Sequence, residues 1–360
     1  MIIKSLELKH FRNYETLTVD FDPGTNILYG DNAQGKTNVL EAVYLGGTTK
    51  SHRACKDKEL IQFGYDESHI RIFTEKRKQQ FQIDMHLKKN RTKGIAVNRI
   101  PIKRAGELFG ILNIVSFSPE DLNIIKNGPS ERRHFMDLEL CQLDKIYLDH
   151  LAKYNKILNQ RNKLLKDIFF KPDLVNTLSV WDAQLVRYGS KIIESRREFV
   201  GRLNEIVNRI HRSISGGRED MLLSYDPNIQ ENLFEKELER VRTKDLKSGQ
   251  TTTGPHRDDM SFSIHGIDIR KFGSQGQQRT CALSLKLSEI ELVKTVTKET
   301  PVLLLDDVLS ELDSNRQNYL LENISGTQTI ITCTGLDELI RSRFAMNRVF
   351  KVVCGNVIRE

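Results

Sequence analysis

Two groups of residues in this 360-residue chain have the types and order needed to hold a triphosphate. The first is Gly30-Asp31-Asn32-Ala33-Gln34-Gly35-Lys36-Thr37, followed by Asn38, which fits the pattern G-x-x-x-x-G-K-T. Glycines at its ends let backbone N–H groups converge on an anion with no Cβ in the way. A helix beginning near Lys36 adds the positive end of its dipole. Lys36 then reaches the β- and γ-phosphates, and Thr37 offers its hydroxyl to Mg²⁺. The second group is Leu303-Leu304-Leu305-Asp306-Asp307, an apolar strand ending in two carboxylates. Asp306 is suited to hold the metal that Thr37 touches, usually through water. Asp307 is suited to orient or deprotonate an attacking water. Together the two groups imply ATP and Mg²⁺, with Thr37 and Asp306 on the metal and Lys36 and Asp307 as the catalytic residues.

A third group precedes the acidic strand. Phe272-Gly273-Ser274-Gln275-Gly276-Gln277-Gln278-Arg279 opens a helix expected over Thr280 to Glu291. Serine and glycine at a helix N-terminus form a second anion site. One subunit has no use for two sites on one triphosphate, whereas two facing subunits do. Ser274 and Gly276 of one copy would close over the γ-phosphate held by the other, with Gln275 and Gln277 beside them. The turn Leu309-Ser310-Glu311-Leu312-Asp313 would cross the same interface. An ATP-dependent homodimer is therefore expected.

These residues need elements to place them. Ile2, Leu6 and Leu8 alternate with polar residues, as does the run Thr16 to Phe21, so the first 30 residues read as strands. A helical stretch follows from Lys36 to Leu45. Short alternating runs from Ile70 to Ile102 predict a small antiparallel sheet. From Pro129 to about Arg212 the apolar period becomes helical, broken at Lys171-Pro172, which predicts an antiparallel helical hairpin forming a compact arm. Residues 213–250 are polar and read as loops. The chain ends with the acidic strand, a helix to about Ile324 and a buried strand at Thr329 to Thr332. The predicted fold class is α/β: a mixed sheet with an antiparallel β subdomain, split by an inserted helical arm. The head is expected over 1–118 and 250–360, and the arm over 119–249.

Composition limits the remaining readings. Hydrophobic residues make up 38% and charged residues 29%, and the net charge is +7, which permits a polyanionic partner without demanding one. No apolar run approaches the roughly 18 residues of a membrane helix, and the N-terminus lacks signal-peptide character. The expectation is a cytoplasmic protein with no membrane role. The cysteines at 55, 141, 281, 333 and 354 have no ligand or redox spacing, and the nine histidines form no spaced cluster, so no structural zinc is expected.

The set of motifs resembles the ABC-type ATPase head of the SMC-like branch, and within it the RecF family of bacterial recombinational repair. The resemblance covers essentially the whole chain. It rests on Leu8-Lys9-His10-Phe11-Arg12-Asn13-Tyr14, the Gly30 loop, Ser51-His52-Arg53, Pro119-Glu120-Asp121, Pro129 to Asp137, Gly254-Pro255-His256-Arg257-Asp258-Asp259, Gly273 to Arg279, and Leu304 to Asp313. Such loops usually carry glycine where Ala33 stands, and Asn127 stands where a glycine is expected. The acidic pair is Asp-Asp where transporter-type heads have Asp-Glu. The resemblance implies that Arg12, Asn13 and Asp313 join the nucleotide site. It also implies a switch residue at the end of the strand from Thr329, for which Thr332 and Thr334 are the candidates. It implies dimerisation of heads on single-stranded or gapped DNA without sequence preference, weak ATPase activity that releases the DNA, and work with RecR and RecO to load RecA and support the SOS response. Arg91, Lys93, Arg132 and Arg133 are candidate phosphate contacts, each weighed against an ordinary solvated face. His256 is set either near the interface or in a local cap. The other readings are a transporter nucleotide-binding subunit, a different P-loop kinase, another SMC-like ATPase, and a clamp that binds ATP without hydrolysing it.

Overall fold

The structure is a computed structural model that describes residues 1–53, 56–335 and 346–360. Cys55 lies outside the described residues. The chain divides into two compact units, Met1–Asp121 with Leu285–Glu360, and Leu122–Ser284.

The first unit opens with β1 (Ile2–Phe11), β2 (Tyr14–Asp20) and β3 (Thr25–Tyr29). It continues with α1 (Lys36–Thr48), β4 (Glu67–Lys76), β5 (Gln79–Lys88), β6 (Arg91–Val97), β7 (Ile100–Pro101) and β8 (Ile114–Phe117). The second unit carries α2 (Leu122–Lys126), α3 (Pro129–Leu143), α4 (Lys145–Ile168), α5 (Leu178–Ile214), β9 (Met221–Asp226) and α6 (Phe234–Ser248). It then has β10 (Asp259–Ile264), β11 (Ile267–Asp268), α7 (Ile269–Phe272) and the start of α8 (Gln275–Thr297). The first unit resumes within α8 and ends with β12 (Val302–Asp306), α9 (Ser314–Asn323), β13 (Thr329–Cys333), β14 (Met346–Val353) and β15 (Asn356–Arg359).

The first unit holds two six-stranded sheets. One is antiparallel, in the order β2-β1-β4-β5-β6-β7. Its strands alternate: Ile70 and Ile72 of β4 and Ile83, Met85 and Leu87 of β5 are buried, while Arg71, Asp84 and His86 face the other way. The expected sheet of residues 70–102 is there, and β1 and β2 extend it. The other sheet has the order β15-β14-β3-β13-β12-β8 and is parallel except for β15. Val302 to Leu305 are all buried, the uniform run expected of a strand covered on both faces.

Helix α1 packs against both sheets, which explains why it has no polar side after its first turn. A Cβ on Gly46 would lie 2.2 Å from Ile72 of the antiparallel sheet, and one on Gly47 would lie 2.5 Å from Ile114 of the parallel sheet. The paired glycines therefore set how near the sheets approach the helix.

In the second unit α4 and α5 form the expected antiparallel hairpin, joined through a 3₁₀ turn at Pro172–Thr177. Contacts step in opposite directions along the two helices, from Arg161 with Asp182 through Tyr154 with Gly189 to Tyr147 with Arg196. One expectation changes here. Residues 213–250 contain β9 and α6 rather than loops alone. Helix α6 buries little besides Phe234, Leu238 and Asp245, so its charged surface masked the period. Residues 250–284 lie in the second unit, where β9, β10 and β11 form one sheet that packs on α3 and α5.

Candidate nucleotide-binding site

The Gly30 loop leaves the carboxyl end of β3 and enters α1, at the edge where parallel α/β sheets hold ligands. Its backbone takes values that favour glycine: φ is 152° at Gly30 and 116° at Gly35. Space demands the same, since a Cβ on Gly30 would lie 2.3 Å from the Val352 carbonyl, and one on Gly35 would lie 2.6 Å from Asn13 Nδ2. Ala33 stands at φ 63°, the region where a Cβ costs about 1–2 kcal/mol. Glycine at this position would relieve that strain.

The loop is held by its neighbours. Asn13 Nδ2 donates to the Gln34 carbonyl at 3.0 Å, and the Tyr14 hydroxyl donates to the Gly35 carbonyl at 3.1 Å. The turn between β14 and β15 grips the other side, with Cys354 N–H donating to Gln34 Oε1 at 2.6 Å and Gly355 N–H to the Gln34 carbonyl at 3.2 Å. Asn38 Nδ2 donates to Asn13 Oδ1 at 2.8 Å. Asp31, Asn32 and Ala33 are exposed at the tip. The buried Lys36 ammonium lies inside the loop, donating to the carbonyls of Gly30 at 2.5 Å and Asp31 at 2.8 Å.

The acidic strand end meets this loop. Thr37 Oγ1 donates to Asp306 Oδ1 at 2.9 Å, and Thr332 Oγ1 donates to the same oxygen at 2.6 Å. The parallel register sets Asp306 opposite Thr332, and Thr332 opposite Leu28, so three adjacent strand ends converge. Thr332 also accepts the Asp307 N–H at 3.0 Å, which ties down Asp307 at φ 56°. Thr332 is buried and Thr334 exposed, so Thr332 is the one in contact with both carboxylate residues. A hydroxyl and a carboxylate oxygen side by side beside a glycine-lined cradle are a donor set suited to Mg²⁺ on a phosphate.

Arg12 takes a different place from Asn13. Its Nε and Nη2 each lie 2.8 Å from the carboxylate of Glu41 on α1, and Nη1 donates to the Glu59 carbonyl at 3.0 Å. Burial pushes the Glu41 carboxyl up, but hydrogen bonds from Arg12 and Ser51 and the charges of Arg12 and Arg53 outweigh it and hold it below its ordinary value. Sequence reasoning missed Glu41. The signal was a lone carboxylate inside the apolar run Val39-Leu40-Glu41-Ala42-Val43. His52 stands edge-on to Tyr44 with ring centroids 4.8 Å apart. Burial lowers its pKa, against the opposing pull of Glu41, Glu120 and Asp306.

Ser274, Gln277 and Asp313 make helix-capping hydrogen bonds. Ser274 and Gln277 form a reciprocal capping box at the start of α8: Gln277 N–H donates to Ser274 Oγ at 3.2 Å, and Ser274 N–H to Gln277 Oε1 at 3.0 Å. Ser274 and Gln275 are exposed there, with Gly276 half-buried, in the second compact unit. The helix starts at Gln275, five residues before the expected Thr280. Asp313 is the N-cap of α9, accepting from Arg316 N–H at 3.0 Å. In the first unit the structure thus joins the loop, Asn13, Asn38, Asp306, Asp307 and Thr332.

Three candidate phosphate contacts have protein partners, and Lys93 also lines a basic groove with Arg91. Arg132 is 2% exposed and paired through two nitrogens with Asp259, at 2.6 and 3.0 Å. Arg133 is half-buried and donates to the Asp258 carbonyl at 2.7 Å. Lys93 is largely buried, 3.0 Å from Asp57 and bonded to the Thr49 carbonyl. Arg91 is exposed, as expected. His256 is part of local structure in its own unit, with Nδ1 2.8 Å from the Tyr154 hydroxyl and Nε2 3.0 Å from the Thr251 carbonyl.

The profile of the RecF/RecN/SMC N-terminal domain matches residues 2–354. The DNA replication and repair protein RecF of Agathobacter rectalis is 67% identical over 357 residues, 99% of each chain. That of Lachnospira eligens is 62% identical and covers 100% of both.

This chain belongs to the RecF family.

A solved structure of the recombination mediator protein RecF with ATP, in the RecFOR pathway, superposes with a TM-score of 0.93 at 37% identity, covering 99% of this chain and 97% of the other. An Smc head bound to the C-terminal winged-helix domain of ScpA shares the fold, with a TM-score of 0.58 at 16% identity and coverage of 100% and 97%. Among the described residues, no helix is long and apolar enough to cross a membrane.

Proposed function

We propose that this chain is an ATP-dependent DNA-binding switch of recombinational repair and replication restart, with weak Mg²⁺-dependent ATPase activity and a cytoplasmic location. The observation that carries the reading is the Thr37–Asp306 hydrogen bond, which joins motifs 269 residues apart. Gly30 to Thr37 would wrap the phosphates and Lys36 would neutralise their charge. Thr37 and Asp306 would hold Mg²⁺. Asp307 would take the proton of the attacking water, held in place by Thr332. Bound ATP supplies the phosphoanhydride whose cleavage resets the switch. Two copies would face each other, with Ser274 and Gly276 of one completing the site of the other, and the exposed cap of α8 is compatible with that role. RecO and RecR are the partners that the RecFOR relatives suggest.

Sequence-independent DNA binding needs exposed Lys and Arg aimed at phosphates. A groove of about 600 Å³ in the first unit supports this, lined by Lys50, Lys56, Lys58, Lys88, Lys89 and Arg91 among others. Retention on gapped DNA should fall steeply with salt, and Lys89→Glu with Arg91→Glu should weaken it without changing ATP affinity.

The test is light scattering with and without ATP. Wild type is expected to dimerise with ATP. Lys36→Met stays monomeric because it loses nucleotide, and Ser274→Arg stays monomeric while still binding ATP. Asp307→Asn dimerises and releases DNA more slowly. A Ser274→Arg protein that dimerises normally overturns the facing-site arrangement. An Asp307→Asn protein that releases DNA as fast as wild type rules out hydrolysis as the release step.

A further inference from the structure

The outward face of the antiparallel sheet carries a second cluster of chemically capable side chains. His69 on β4 and His86 on β5 are directly opposite in the ladder, and their rings stack with centroids 4.0 Å apart. Glu67 lies two residues before His69, which puts it on the same face. Its Oε2 is 2.9 Å from His86 Nε2, and its Oε1 is 3.9 Å from His69 Nε2. One ligand atom from each of the three lies within 4.8 Å of the others.

We propose that Glu67, His69 and His86 form a binding site for a zinc-class divalent cation on the face of the head sheet. Two imidazoles and a carboxylate are a donor set that suits Zn²⁺, and nitrogen donors disfavour Mg²⁺, which prefers oxygen. Tetrahedral coordination with bonds of about 2.0–2.2 Å sets ligand atoms about 3.3 Å apart. The two observed separations, 2.9 and 3.9 Å, bracket that value, so small side-chain rotations bring the donors into place. A metal would replace the hydrogen bond between Glu67 and His86. All three side chains reach solvent, so the ion has an entry path, and its fourth position is open to water or an anion. The nearby cations oppose binding: Lys88 lies 3.9 Å from Glu67, and Lys9 pairs with His69 across β1 and β4. Bound metal would clamp β4 to β5 in the sheet that continues into Arg91 and the basic groove.

The test is calorimetric titration of the full untagged chain with Zn²⁺ alone, in the presence of millimolar Mg²⁺ to occupy the oxygen sites. One Zn²⁺ per chain is expected at this site. His69→Ala, His86→Ala and Glu67→Gln should each weaken it by at least about 10–100-fold, the loss typical of an outer partner alone. Lys88→Gln should tighten binding by removing a repelling charge, a gain that no loss of folding can imitate. Cobalt should give a visible absorption band that vanishes in the histidine variants. Zinc binding that is unchanged in all three ligand variants, or displaced by Mg²⁺, overturns the proposal.

Discussion

The nucleotide edge of the first unit and the core of the second both place acids and bases close together, yet they do so to opposite ends. In the second unit the buried cations Arg196 and Arg161 are paired with carboxylates. Arg196, 2% exposed, donates to Asp258 at 2.9 Å, Asp137 at 2.8 Å, the Pro255 carbonyl at 2.7 Å and the Tyr147 hydroxyl at 3.1 Å. Arg161, fully buried, reaches Asp182, Asp245 and Thr251. Asp258 accepts in addition from Asn228 N–H at 2.8 Å and from the Tyr225 hydroxyl. Such groups tie the helical hairpin to the Gly254 to Asp259 turn. At the loop edge the backbone is strained at Ala33 and Asp307, and the polar groups line a surface that solvent reaches. A buried ion network is costly to disturb and rigid, whereas the strained edge keeps its donors ready for a ligand. On the proposed function, the difference separates residues that hold the fold from residues that await chemistry.

Three experiments press on this contrast. The largest effect is expected for Arg196→Met. It leaves Asp137 and Asp258 facing a buried site without their cation, which costs about 3–5 kcal/mol. Urea unfolding should show that loss, while ATP affinity of the folded protein stays near wild type. A proportionate loss of ATP affinity would break the separation of roles.

Next comes acid. Burial is the main cause that pushes His256 down to about 4 from its ordinary 6.5. The folded state therefore keeps His256 neutral while the unfolded chain takes up a proton below pH 6.5. Its contribution is full above pH 6.5, declines as pH falls, and is gone by about pH 4. The full loss is about 3 kcal/mol at 1.36 kcal/mol per unit. His52, also lowered by burial, adds in the same direction. Stability measured from pH 7 to 4 should fall, and His256→Gln should flatten the profile. An unchanged slope in that variant would place the effect elsewhere.

The smallest effect is expected for Thr332→Val at the other pole of the comparison. It removes one hydrogen bond to Asp306 and the partner of the Asp307 N–H. ATP affinity should change little, because the loop and Lys36 are untouched. Turnover should fall about tenfold, or 1.4 kcal/mol, as Asp307 loses its anchor. A large change in ATP affinity with normal turnover would assign Thr332 to binding instead.

Local pattern made the nucleotide loop, the acidic strand, the helical hairpin and the mixed α/β class legible in the sequence. Each rests on a period or on residues a few positions apart, and glycine, lysine and threonine at fixed spacing leave the backbone few choices. Ser274 and Gly276 were legible as standing near a helix start, but the capping box between Ser274 and Gln277 was not. Helix α6 and strand β9 were not, because few of their residues are buried and the apolar period fades.

Only the tertiary structure could decide the pairings between distant residues. Arg12 meets Glu41, and Arg132 meets Asp259, because a guanidinium withdrawn from water demands a carboxylate wherever the fold supplies one. His69 and His86 carry no ligand spacing in the sequence. They become neighbours because β4 and β5 pair in a register that sets them face to face. Spacing along a chain determines what one element can do. The register between elements determines which side chains meet, and that is set by the burial of the whole sheet.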